Sequence, residues 1–204
     1  MSRIILATGN SHKVSEFQAF LAAAIIECVS ASTYGGMPEV NETGKSFKEN
    51  ALIKAEALRH FLIHAQGFRA KETPYVLSDD SGLEVDFLNG APGVYSARYA
   101  GISASDQDNI NKLLKALANV PELERTARFR CVLCLIKEDG LPNYFEGTCE
   151  GRILIQPQGS SGFGYDPIFV PEGYKDSFAY LGEPLKAGLS HRAKAMASLI
   201  GELS

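Results

Sequence analysis

Arg3-Ile4-Ile5-Leu6-Ala7-Thr8-Gly9-Asn10-Ser11-His12-Lys13 is an apolar run that breaks at Gly-Asn and passes into a segment of helical character. A short apolar stretch bounded by a turn signal reads as a buried strand, and the residues after Asn10 as a helix reaching to about residue 23. The apolar run is interrupted too early for the core of a secretion signal, so a cytoplasmic protein is expected. Outward from this unit, strand-like segments recur at 25–30, 75–78, 83–87, 128–136, 144–155 and 167–170. Helix-like segments lie between them, an alternation that predicts an α/β domain.

Two further helices announce themselves by their starts. Ser46-Phe47-Lys48-Glu49 has capping-box spacing, and Phe47, Ala51, Ala55, Leu58 and Leu62 follow as an apolar stripe. Ser105-Asp106-Gln107-Asp108 opens the next helix, with Ile110, Leu113, Leu114 and Leu117 as its buried face and Pro121 beyond its end. A last helix follows Ser190. Segments 128–136 and 144–155, joined by Glu138-Asp139-Gly140, form a predicted antiparallel hairpin, so the sheet is expected to be mixed.

Bulk properties bound the partners. The 204 residues are 45% hydrophobic and 22% charged, suited to one domain of two lobes at most. No apolar run approaches the roughly 18 residues that cross a bilayer, so no membrane partner is expected. A net charge of −4 without a basic stripe argues against nucleic acid. Cys131 and Cys134 have the spacing of a zinc or redox pair, but no second pair exists; within a strand they are expected to be small buried hydrophobes.

The residues that can carry chemistry are scattered. Thr8, Gly9, Asn10, Ser11, His12 and Lys13 join a strand to a helix start, where backbone amides and the helix dipole favour an anion. The phosphate-loop spacing of known nucleotide-binding proteins is absent, and a Gly-Asn turn also serves proteins that bind nothing. Asp79-Asp80-Ser81-Gly82 follows an apolar strand and fits either a ligand site or an Asx-turn. Adjacent residues on an extended chain face opposite ways, so the two aspartates should differ in role. Glu42 lies in an acidic loop that by itself reads as solvated surface; together with Asp80 it would suit Mg²⁺, which takes one or two carboxylates plus water and phosphate oxygens. Lys54 falls about 20° from the centre of its helix's apolar stripe, so it must snorkel or enter a polar cleft. The glycine-rich segment around Phe163, Gly164, Tyr165 and Asp166 sets aromatics where a purine could stack. Lys186, His191 and Arg192 cluster near the start of the last helix, where the dipole disfavours cations and an anionic or carbonyl partner is implied.

Taken together, these stretches resemble the inosine triphosphate pyrophosphatase family. The matching segments are Ala7-Thr8-Gly9-Asn10 with Lys13, Glu42-Thr43-Gly44 leading to Phe47 and Glu49-Asn50-Ala51, and Asp79-Asp80-Ser81-Gly82-Leu83. They continue through Gly90-Ala91-Pro92-Gly93-Val94-Tyr95-Ser96-Ala97-Arg98-Tyr99, Gly162-Phe163-Gly164-Tyr165-Asp166-Pro167 and Ser190-His191-Arg192. The resemblance spans nearly the whole chain. It implies an elongated two-lobed α/β fold around a central mixed sheet flanked by helices, an active site in the cleft between lobes, and a homodimer. The implied reaction is Mg²⁺-dependent hydrolysis of non-standard purine triphosphates (ITP, dITP, XTP) to the monophosphate and pyrophosphate, a cleansing of the nucleotide pool.

By resemblance, residues 8–13 hold the triphosphate, Asp80 is proton acceptor and metal ligand, and Ser81 touches substrate. Phe163, Gly164, Tyr165, Asp166, Lys186, His191 and Arg192 hold base and sugar, while Lys13 and Lys54 neutralise charge built up in transfer. Relatives carry Glu-Glu-Thr-Gly where this chain has Asn41-Glu42-Thr43-Gly44, so Glu42 is the expected second ligand and Glu39 the alternative. Donors from Lys186, His191 and Arg192 suit a 6-keto purine and oppose adenine's amino group; such sites discriminate by roughly 10⁴-fold. Two rival readings are a pyrophosphatase for modified pyrimidine or methylated nucleotides and a nucleotide sensor without turnover.

Overall fold

The computed structural model describes residues 3–69 and 74–203. Its strands are β1 (Ile4–Leu6), β2 (Cys28–Ser30), β3 (Tyr75–Val85), β4 (Thr126–Ile136), β5 (Pro142–Ile153) and β6 (Phe169–Pro171). The helices are α1 (Ser11–Ala23), α2 (Phe47–Ala65), α3 (Asp106–Ala116), α4 (Phe178–Leu181), α5 (Glu183–Leu189) and α6 (His191–Leu203). The strands form one sheet in the order β2-β1-β3-β4-β5-β6. β1 runs parallel to β2 and β3, whereas β5 and β6 are antiparallel. Residues 137–141 link β4 to β5, too few for the crossover of about a dozen residues that a parallel pair requires, so these neighbours form the expected hairpin. The sheet is mixed and flanked by helices.

The chain divides into two compact units. One comprises Met1–Asp80, Val132–Glu146 and Ala195–Ser204; the other comprises Ser81–Cys131 and Gly147–Lys194. Each has its own core. In the first, Ala51, Ala55, Leu58 and Leu62 of α2 pack with Ile5, Val76, Cys134 and Ile136. In the second, Ile110 and Leu113 of α3 and Leu117 just beyond its end join Leu83, Val85, Phe129, Ile153 and Phe169. The apolar stripes read from the sequence are therefore the buried faces of both helices.

The helix starts follow the expected chemistry with one shift. Ser46 Oγ accepts the Glu49 amide at 3.2 Å, but the Glu49 carboxylate reaches one residue further back, to the Lys45 amide at 2.5 Å. At α3 both halves of the box are present: Ser105 Oγ accepts the Asp108 amide, and Asp108 Oδ2 accepts that of Ser105. Cys131 and Cys134 are both fully buried in β4, and burial pushes the Cys134 thiol up to about 12. Buried Arg125 was not singled out in the sequence. Its guanidinium donates to the carbonyls of Leu117 and Val120, at and after the end of α3, and of Leu154, just beyond β5.

Three strand expectations need correction. Segments 75–78 and 83–87 are one strand, β3, which ends at Val85; the polar Asp-Asp-Ser-Gly interior disguised its continuity. The strand expected at 167–170 is shifted to Phe169–Pro171. β2 begins at Cys28 rather than residue 25, because Ile25 and Ile26 close α1. The Ile26 amide bonds Leu21 O at 2.9 Å and the Ile25 amide bonds Ala22 O at 3.0 Å, the two bonds of a Schellman motif. This motif puts Ile25 at φ 60°, a left-handed conformation in which a β-branched residue is strained, with its side chain 86% exposed. Replacing Ile25 with Gly removes that strain and little packing. Ile25→Gly should raise stability by about 1 kcal/mol, read as a higher urea midpoint at unchanged slope; a lower midpoint would contradict the strain argument.

Candidate active site

In the first unit the turn after β1 is shaped by its own side chains. Thr8 Oγ1 accepts the Asn10 amide at 3.2 Å, and Asn10 Oδ1 caps α1 by accepting from His12 N (2.9 Å) and Lys13 N (3.2 Å). Two of the amides expected to face an anion are thus engaged by Asn10. Ser11 and His12 are exposed on the first turn of α1. Gly9 is exposed too, and a Cβ built there meets no atom within 4 Å. Packing does not require glycine at this position.

β3 carries Asp79 and Asp80 in extended backbone, so the Asx-turn reading fails. Asp79 pairs with the Lys13 ammonium and Asp80 with that of Lys54. The Ser78 hydroxyl donates to Ala51 O at 2.5 Å, tying β3 to the turn of α2 that precedes Lys54. Lys54 Nζ then lies 2.7 Å from Asp80 Oδ1 and 3.7 Å from Glu42 Oε2. This resolves the puzzle of a lysine near the centre of an apolar stripe: its stem is buried and its head meets two carboxylates.

The loop bearing Glu42 is also held. The Gly44 amide donates to Asn50 Oδ1 at 2.8 Å, and a Cβ on Gly44 would lie 2.5 Å from that oxygen and 2.9 Å from the Asn50 amide nitrogen. Only glycine fits. Asn41 and Glu39 are exposed, whereas Glu42 shares the Lys54 ammonium, which favours Glu42 over Glu39 as the second acid.

Asp80 and Glu42 share the Lys54 ammonium, and Asp79 takes that of Lys13. Burial pulls the Lys54 ammonium down, but Asp80, Asp79 and Glu42 outweigh it, so Lys54 stays cationic. Burial pushes the Asp80 carboxyl up despite the opposing pull of Lys54 and Lys13. Asp80 Oδ2 is buried and has no hydrogen-bond partner among the described residues. An unsatisfied buried carboxylate oxygen beside a second acid suits a hard divalent cation that completes its shell with water and phosphate oxygens. No group of three or more His, Cys, Asp or Glu arranged for a metal occurs among the described residues, so a cation here would depend on such outside ligands.

In the second unit, Asp166 organises the glycine-rich segment. Its Oδ2 accepts the Phe163 amide at 2.9 Å and the Lys186 ammonium at 2.6 Å, both acid and lysine being deeply buried. A Cβ on Gly162 would sit 2.2 Å from that same oxygen. Lys186 Nζ stands 4.4 Å from the centre of the Phe163 ring, a cation–π contact. Tyr165 differs from the expected open stacking ring. It is a core residue whose hydroxyl donates to Ser96 O at 2.9 Å, and Ser96 Oγ in turn accepts the Leu83 amide and donates to Gly93 O. Arg192 is 2% exposed, and its Nη2 donates to Ser81 Oγ at 3.0 Å. His191 stacks on Phe129 with centroids 4.9 Å apart. Lys186 lies in α5, not at the start of the last helix, where Ser190 instead caps α6 by accepting the Ala193 amide.

Sequence reasoning missed Ser78, Asn50 and Ser96 as residues that fix these clusters. Each is a small polar side chain buried by tertiary contact, and none carried a periodic or spacing signal of its own.

The Ham1 family pattern matches residues 4–202. A dITP/XTP pyrophosphatase of Opitutus terrae is 49% identical over 97% of this chain and 96% of its own length. One from Vibrio parahaemolyticus is 51% identical, covering 100% of this chain and 98% of its own. The solved structure of the Staphylococcus aureus Ham1 protein is similar with a TM-score of 0.84 and 38% identity, over 98% of this chain and 97% of that one. A matched pattern, sequence likeness and fold likeness that all run the length of the molecule lead to one conclusion: the chain belongs to the Ham1 family.

Proposed function

We propose that this protein is a Mg²⁺-dependent nucleoside triphosphate pyrophosphohydrolase that converts ITP, dITP and XTP to the monophosphate and pyrophosphate. Its family and its full-length likeness to dITP/XTP pyrophosphatases support a hydrolase for non-standard purine triphosphates. The observation that carries the chemistry is the meeting of Asp80 and Glu42 on one buried ammonium, with Asp80 Oδ2 left without a partner among the described residues.

Asp80 and Glu42 are the residues that would hold Mg²⁺, which when bound supplies charge neutralisation to the phosphate oxygens. Residues 8–13 receive the phosphates, with Gly9 leaving the backbone open to close approach. Lys13 and Lys54 offset the charge that builds during phosphoryl transfer. Asp80 takes the proton of the attacking water. Phe163, held by Asp166, offers its ring to the base, while Lys186, His191 and Arg192 offer donors to a 6-keto oxygen. Ser81, oriented by Arg192, contacts substrate. The proposal includes a homodimer, as the sequence resemblance implies, and a cytoplasmic location, as the early break of the first apolar run implies. No helix among the described residues is long and apolar enough to cross a membrane.

With Mg²⁺ present, the purified protein should release pyrophosphate from ITP, dITP and XTP far faster than from ATP. Asp80→Asn should retain the fold by circular dichroism and lose turnover by on the order of 10²–10⁴-fold. Equal rates on ATP and ITP, or near-native turnover in Asp80→Asn, would each contradict the assignment.

A second outcome tests the open turn. Gly9→Ala meets no neighbour, so its melting temperature should match that of the unaltered protein, while its KM for ITP rises several-fold. An unchanged KM would remove residue 9 from the phosphate site.

A further inference from the structure

We infer that Asp106 is a positioning residue for the nucleobase segment, acting through the Gly164 amide, which its Oδ2 accepts at 2.7 Å. The inference rests on the proposed role of Phe163 as the surface against which a base packs. Two consecutive amides of that segment, those of Phe163 and Gly164, are each taken by a carboxylate. Asp166 belongs to the segment itself and holds it from within. Asp106 is 58 residues away in sequence and ties the segment to the first turn of α3.

Gly164 has no side chain to hold it: a Cβ there would meet no atom within 4 Å, and the residue sits at φ 60°. Its neighbours are anchored within the segment's own surroundings, Phe163 by Asp166 and Tyr165 by the Ser96 carbonyl, and the Gly164 amide adds a tie to α3 through Asp106. Nor does α3 need Asp106 for its own start. Ser105 and Asp108 already complete the capping box, with bonds of 3.2 Å and 2.9 Å. Asp106 is exposed, so the charged acceptor is directed to the loop without the desolvation cost of a buried acid. A charge-assisted bond to a backbone amide is among the stronger ways to fix a loop residue that has no side chain of its own.

The experiment compares Asp106→Ala, Asp106→Asn and Asp108→Ala with the unaltered protein. It reads the dissociation constant for inosine monophosphate, KM and kcat for ITP with Mg²⁺, and hydrogen exchange of the Gly164 amide. Asp106→Ala should speed Gly164 exchange, weaken inosine monophosphate about tenfold and raise KM comparably, with kcat within about twofold; tenfold is what one such bond can carry. Asp106→Asn keeps an acceptor oxygen and should restore affinity to within about threefold. Asp108→Ala breaks the cap and should lower the melting temperature without moving nucleotide affinity. Unchanged affinity in Asp106→Ala, or an equal loss in Asp108→Ala, would overturn the inference, as would failure of the unaltered protein to bind inosine monophosphate. Binding of that nucleotide without any pyrophosphate release would instead refute the proposed function and leave the positioning role standing on its own readouts.

Discussion

Lys54 is the residue on which the first cluster turns. Its side chain leaves the apolar face of α2, its stem is packed among core residues, and its ammonium emerges against Asp80 and Glu42. Removing the cation would leave two acids close together, one of them buried with an unsatisfied oxygen. Removing the acids would leave a charge stranded in the core. Neither half is tolerable alone, because a buried charge that loses its partner is costly in a way an exposed one is not. The pair is therefore a constraint on backbone placement: Ser78 must tie β3 to α2, and Gly44 must let the acidic loop fold onto Asn50, or the three side chains do not meet.

The same logic recurs in the second unit with other residues. Lys186 and Asp166 are a buried pair, and Asp166 has a further task in holding the Phe163 amide. One carboxylate thus fixes both a cation and the backbone that presents an aromatic ring to that cation. Arg192 and Ser81 repeat the theme in a weaker form, a buried guanidinium orienting a hydroxyl. In both units the groups suited to a polar ligand are held by partners before any ligand arrives. Such pre-organisation reduces the ordering that binding would otherwise require.

How much of this was legible depended on periodicity. The faces of α2 and α3 could be read because burial repeats with the helical period, and Lys54 stood out because it broke that repeat; the start of α1 was marked instead by the Gly-Asn break. Strand β3 could not be read as one element. Its middle is Ser-Asp-Asp-Ser-Gly, a composition that ordinarily signals a turn, and the lysines on α1 and α2 offset the cost of those acids inside a sheet. Ile25 was misread for the opposite reason: a β-branched residue signals a strand, and the Schellman bonds override that preference. Tyr165 carried an aromatic signal that fits a stacking surface and a core strut equally, and the Ser96 carbonyl decides between them.

The glycines separate into two kinds, and the division bears on where a ligand acts. At Gly44 and Gly162 a side chain would collide with an acceptor oxygen within 2.5 Å, and at Gly151 with the Val170 carbonyl at 2.2 Å. These positions are explained by the folded chain. Gly9 and Gly164 are not, since a methyl group at either would meet open space. Gly164 has a conformational reason in its φ of 60°, so its identity is settled by backbone geometry. Gly9 has neither a steric nor a positive-φ reason within the chain. Gly188 and Gly201 share that profile, so lack of an internal reason does not by itself mark a ligand site. What sets Gly9 apart is its place, in an exposed turn at a helix start whose dipole favours an anion, as the proposed function requires.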